Sequence, residues 1–132
     1  ILAVKLTHFE ADLARRQHLA NAYDDALAGV EVQTPLVADG CRHAWHQYVI
    51  RSARRDDIAG FLREQGIGTA VHYPMPAHEN PGYAARVRCV GTLPETDKAA
   101  ASVLSLPMYP ELPADVPARV AAAIGNCLSA AP

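Results

Sequence analysis

Between positions 72 and 83 the sequence places two imidazoles and two phenols, His72, Tyr73, His78 and Tyr83, in a segment that also carries Pro74, Pro76 and Pro81. Rigid rings with polar tips suit recognition of small ligands. An imidazole can donate to a phosphate oxygen, and a phenol can donate to a sugar oxygen. Each proline fixes φ and restricts the residue before it, so this loop is expected to run near extended geometry and to lose little entropy when a ligand orders it. The same residues also suit a proline-rich connection whose rings are incidental.

Other chemistries find less support. No serine stands in a Gly-x-Ser-x-Gly elbow, and no cysteine adjoins a predicted helix start that would lower its pKa. Gly66-x-Gly68 follows a helix pattern rather than joining a strand to a helix, so it reads as a cap and not as a phosphate cradle. The pairs Asp24-Asp25 and Asp56-Asp57 are neighbours on predicted helices and diverge by about 100°, which makes solvated faces and not an acid–base couple. Cys41-x-His43-x-x-His46 has the outline of half a metal site, but on the approach to a strand His46 points away from the other two.

The elements that must hold the ring segment follow from periodicity. Ile58, Phe61 and Leu62 recur at helical spacing and stop at Gly66, with Ile67 behind it, the pattern of a left-handed glycine cap with a hydrophobic contact. Thr69 to Tyr73 alternate with β-formers at Thr69, Val71 and Tyr73, which predicts a short strand ended by Pro74. On such a strand His72 points opposite to Tyr73, toward the core.

Upstream, Leu2, Leu6, Phe9, Leu13, Ala20, Tyr23 and Leu27 form a 4-3-4-3 rhythm, broken where Arg16 takes an apolar slot, so one long amphipathic helix is predicted over 1–28. Ile1 is already in register with no capping residue before it. At about 1.5 Å per residue such a helix outreaches one small core, and part of it is expected to pack on something else.

Trp45 to Ile50 reads as a central strand, Ser52 to Gln65 as a charged helix, and Thr92-Leu-Pro-Glu95 as a capping box opening a helix to about Ser102. Val103 to Leu106 is a short strand, and Asp115 caps a last helix with its stripe at Val116, Val120, Ala123, Ile124, Cys127 and Leu128. The fold class is α/β, a small α+β sandwich with helices on a three- to four-stranded sheet, and the whole span 1–132 makes one domain.

The 132 residues carry 12 basic and 14 acidic side chains, a net charge of −2, with no concentrated basic face for nucleic acid or an anionic membrane. No apolar run reaches the roughly 20 residues of a membrane span, and no leader pattern opens the chain. Three well-separated cysteines give no disulfide framework. A cytoplasmic protein with neither nucleic-acid nor membrane partners is expected.

Three stretches resemble, in order, the C-terminal domain of the DegT/DnrJ/StrS family of pyridoxal-phosphate-dependent sugar aminotransferases. They are Trp45-His-Gln-Tyr-Val-Ile-Arg51, then Gly66-Ile-Gly-Thr-Ala-Val-His-Tyr-Pro74 with Pro76, His78, Pro81 and Tyr83, and Leu104-Ser-Leu-Pro-Met-Tyr-Pro-Glu-Leu112. The resemblance implies a homodimeric fold-type I enzyme acting on keto groups of nucleotide-linked sugars or aminocyclitols. In it a large N-terminal domain, missing from this chain, holds pyridoxal phosphate and its lysine. It further implies that Tyr73 and His78, with His72 less firmly, contact the substrate, and that this chain alone carries no catalytic residue and binds no cofactor. Lys5 and Lys98, the two lysines present, match no cofactor-lysine motif. A stand-alone small-molecule or protein-binding module derived from such an enzyme is the alternative.

Overall fold

The computed structural model describes residues 1–83 and 86–130. In chain order these form α1 (Leu2–Leu6), α2 (Phe9–Ala26), β1 (Tyr48–Arg51), α3 (Arg55–Glu64), α4 (Pro94–Ser102), β2 (Val103–Leu106) and α5 (Val116–Ser129). The class is α+β, as the sequence implied. None of the described helices is long and apolar enough to cross a membrane.

β1 and β2 pair antiparallel, with Tyr48 opposite Leu106 and Arg51 opposite Val103. Single bridges extend the pair on both sides, Gln33 to Arg51 and Ala70 to Ser105, so four segments lie abreast although only the middle two are full strands. The predicted strand at Thr69–Tyr73 is reduced to its bridge at Ala70, where Ala70 and Ser105 exchange backbone bonds of 3.2 and 2.8 Å. Pro74 has no N–H to continue a ladder, and beyond it the backbone turns back on itself. Glu79 N–H bonds Pro76 O at 3.1 Å and Tyr83 N–H bonds Asn80 O at 2.8 Å, so the proline segment is a succession of tight turns and not the extended run expected. β1 begins at Tyr48, three residues later than predicted, because Trp45 takes a positive φ of 49° and breaks the extended run.

The first helix is broken. Thr7 Oγ1 donates to Val4 O at 2.7 Å, and Thr7 and His8 N–H bond three residues back, tightening one turn and separating α1 from α2. The buried stripe of α2 is confined to its C-terminal half, at Leu19, Ala20 and Tyr23, followed by Leu27 just past the helix end. The α3 terminus is as expected. Gly66 has φ 72°, its N–H bonds Arg63 O, and Ile67 N–H bonds Leu62 O at 2.9 Å, both bonds of a Schellman cap. Two predicted caps are not made: α4 starts after Leu93 with Pro94 in its first turn and Thr92 outside it, and the Asp115 carboxylate faces Arg119 rather than the α5 backbone.

α5 packs against both α2 and α3, and Ile50, Ile58, Leu62, Leu104, Val120 and Ile124 are sealed in the core. Arg55 is buried among them because its guanidinium donates to Ala100 O and Val103 O, both at 3.3 Å, joining α3 to the α4–β2 junction. The irregular piece expected after Tyr83 is described from Arg86 onward; positions 84 and 85 lie outside the described residues.

Candidate functional site

At the end of the sheet where Tyr48 faces Leu106, three chain segments converge: His46-Gln47 entering β1, Ser105 to Met108 leaving β2, and Gly68 to His72. Between them lies a cleft of about 430 Å³. Its polar groups are His46, Gln47, Thr69, His72 and Ser105.

α2 fixes two of these walls. Arg16 Nη1 donates to the carbonyls of Trp45 at 2.9 Å, His46 at 3.3 Å and Met108 at 3.1 Å, which clamps the two segments to one guanidinium. Tyr23 Oη donates to Pro107 O at 3.0 Å, and its ring stacks on Tyr48 with centroids 4.7 Å apart. Trp45 continues the stack at 5.7 Å from Tyr48 and anchors its indole N–H on Gln17 at 2.9 Å. Tyr48 Oη donates to Asp24 at 2.5 Å. Burial pushes both phenol pKa values up, and for Tyr48 the bond to the Asp24 carboxylate pushes further in the same direction, so both remain neutral donors at any physiological pH.

His72 does not point into the core. Its ring is at the rim, where Nδ1 lies 2.9 Å from the hydroxyl of Ser105, a side chain only 6% exposed. That contact engages one ring nitrogen and leaves Nε2 for another partner. Tyr73 stands edge-on to His72 with ring centroids 5.7 Å apart and is 75% exposed. His78 is elsewhere: its Nε2 faces Asp97 on α4 at 3.7 Å and its neighbour Glu79 at 4.0 Å. Of the ring residues in this segment His72 alone borders the cleft, with Tyr73 against its ring, and His78 lies against α4. Ser105 and Arg16 are not singled out by the sequence as site-forming residues, and His46 stands out there only in the half metal-site outline with Cys41 and His43. Arg16 leaves a signal as the charge that interrupts the apolar rhythm of its helix.

A larger cavity, about 590 Å³, opens at the opposite end of β1 between Glu31, Gln33, Arg51, Arg54 and Leu128. Arg54 is consumed there by Asp57 and by the Leu128 and Cys127 carbonyls, and no ring residue of the 72–83 segment borders it.

A profile of the DegT/DnrJ/EryC1/StrS aminotransferase family matches residues 1–125. This chain belongs to that family. It is 45% identical over 115 residues to a "Pleiotropic regulatory protein" of Geobacillus stearothermophilus, covering 85% of this chain and 31% of that protein. It is 40% identical to the dTDP-3-amino-3,4,6-trideoxy-alpha-D-glucose transaminase of Micromonospora megalomicea subsp. nigra, covering 98% of this chain and 36% of the relative. Among solved structures, S. venezuelae DesV in complex with a ketimine intermediate superposes with a TM-score of 0.92 at 34% identity, over 99% of this chain and 36% of DesV. The chain therefore spans about a third of the length of the relatives it matches.

Pyridoxal phosphate, the cofactor such aminotransferases use, needs a desolvated amine beside its aldehyde and a cradle for its phosphate. Lys98 Nζ is held 2.8 Å from Glu95 with its side chain 68% exposed, and Lys5 lies on the exposed α1. Neither borders the His72 cleft. Both amines are solvated, unlike the desolvated amine that chemistry needs.

Proposed function

We propose that this chain is the C-terminal, substrate-side domain of a pyridoxal-phosphate-dependent aminotransferase acting on keto groups of nucleotide-linked sugars. The cofactor and its lysine belong to the two-thirds of the enzyme that the chain does not span. One observation carries the reading: nearly the whole chain aligns with and superposes on about a third of sugar transaminases, and the cleft bordered by His72 lies within that third.

The residues here bind and orient; the cofactor, when bound by the rest of the enzyme, supplies the amino-group transfer. Tyr73 presents a hydroxyl able to donate to a sugar oxygen. His72, with Nδ1 occupied by Ser105, presents Nε2 to a hydroxyl or phosphate oxygen. His78 is the third contact, delivered by the turns of the 74–83 segment. The exposed apolar residues Ile1, Leu2, Val4, Leu6 and Phe9 meet the N-terminal domain, and the working unit is a cytoplasmic homodimer.

In the enzyme containing this chain, His78→Ala, His72→Ala and Tyr73→Phe are each expected to lower kcat/KM for a nucleotide-linked keto sugar, by about tenfold for each strong hydrogen bond lost. Unchanged values in all three variants would remove the cleft rim from the substrate site.

A further inference from the structure

Among the described residues one group of potential metal ligands converges: His78, Glu79 and Asp97, whose donor atoms all lie within 4.8 Å of one another. They come from two elements. His78 and Glu79 sit in the turns after Pro76, and Asp97 is in the first turn of α4. The imidazole side chain is 19% exposed, whereas the two carboxylates are 58% and 52% exposed.

The spacings, 3.7 Å from Nε2 to Asp97 and 4.0 Å to Glu79, are too long for direct hydrogen bonds. A metal ion with ligand bonds near 2.1 Å holds neighbouring donors about 3.0–3.5 Å apart. The two carboxylates reach that spacing by swinging about 1 Å or less, which half-exposed side chains do without disturbing a core. The electrostatics point the same way. Two carboxylates converging beside one imidazole gather negative charge, which attracts a divalent cation.

We propose that His78, Glu79 and Asp97 form a binding site for a divalent transition metal, of the Zn²⁺, Co²⁺ or Ni²⁺ class. One imidazole and two carboxylates suit these ions, and the coordination positions left over fall to water. A bound ion pins the turns that follow Tyr73 to α4 and stiffens the segment carrying the cleft rim. The site rests on the geometry of these three side chains and not on the aminotransferase reading. Where that reading also holds, the metal and the substrate compete for His78.

The test is Zn²⁺ calorimetry and the visible spectrum of Co²⁺ on the protein with Cys41→Ser and Cys89→Ser, which silence its two exposed thiols. Stoichiometric binding is expected, weakened at least tenfold by His78→Ala and by Asp97→Asn, and left unchanged by His43→Ala and His46→Ala. The surface substitution Asp97→Asn removes a ligand without touching the core. Binding that survives both His78→Ala and Asp97→Asn, or no binding below millimolar Zn²⁺, would overturn the proposal. Activity of the enzyme plays no part in either outcome, so the metal site and the substrate role of His78 stand or fall separately.

Discussion

Two regions of this molecule use the same kinds of side chain in opposite ways. At the closed side of the sheet, Tyr23, Trp45 and Tyr48 are stacked, buried and hydrogen-bonded at their polar tips. In the turns after Ala70, Tyr73 is 75% exposed and Tyr83 51%, and on α1 Leu2 is 77% exposed. Burying such side chains is worth about 1.5–3 kcal/mol each, so the second region contributes little to the stability of this chain as it stands. The first region holds the fold together. The second stands open to solvent in this chain.

Truncations separate the two most sharply. Ile124→Ala, in the sealed core between α5 and its neighbours, is expected to cost about 4 kcal/mol by urea denaturation. Val90→Ala, at a side chain 82% exposed, should change stability by less than ~0.5 kcal/mol. Comparable losses at the two sites would mean that the open region packs in solution.

Arg55→Ala should be nearly as damaging as the core truncation, at about 3 kcal/mol. It leaves the Ala100 and Val103 carbonyls without their donor and empties a buried volume. Arg54→Ala, whose side chain is 35% exposed, is the matched control and is expected to cost less.

A smaller effect tests the stacked phenols. Tyr48→Phe removes a donor to the Asp24 carboxylate and should cost about 2 kcal/mol near neutral pH. Both Tyr23 and Tyr48 have folded pKa values raised by burial above the unfolded value of 10.0, so the native state keeps protons that the unfolded chain gives up. Their stabilisation is therefore full below pH about 10 and falls as pH rises beyond it, by up to about 1.4 kcal/mol per pH unit for each tyrosine. Denaturation midpoints across that range should fall more shallowly for Tyr48→Phe than for the unaltered chain.

What the sequence disclosed follows the same division. The Gly66 cap, the short strand at Val103–Leu106 and the buried stripe of α5 were legible because local chemistry and burial agree there: a glycine at positive φ, a short apolar run stopped by Pro107, a 3.6-residue period. The strand at 69–73 was over-read. Its alternation is real, but its pairing depends on Ser105, 35 positions beyond Ala70, and Pro74 closes the ladder after one bridge. The break at Thr7–His8 was hidden because a threonine that bonds back to Val4 looks, in a periodicity, like any helical residue. His72 was placed facing the core on the logic of a strand that is not there. Arg16 looked like a flaw in an apolar stripe because the three carbonyls it serves come from distant parts of the chain.

The open region can be tested by hydrogen exchange on this chain alone and on the chain extended at its N-terminal side to the length of its relatives. If the bare aromatics and α1 are docking and substrate surfaces, backbone amides over 2–9 and 72–83 should exchange freely in the short form and become protected in the long one, with the amides of α5 slow in both. Identical exchange of those two segments in the short and long forms would contradict the account.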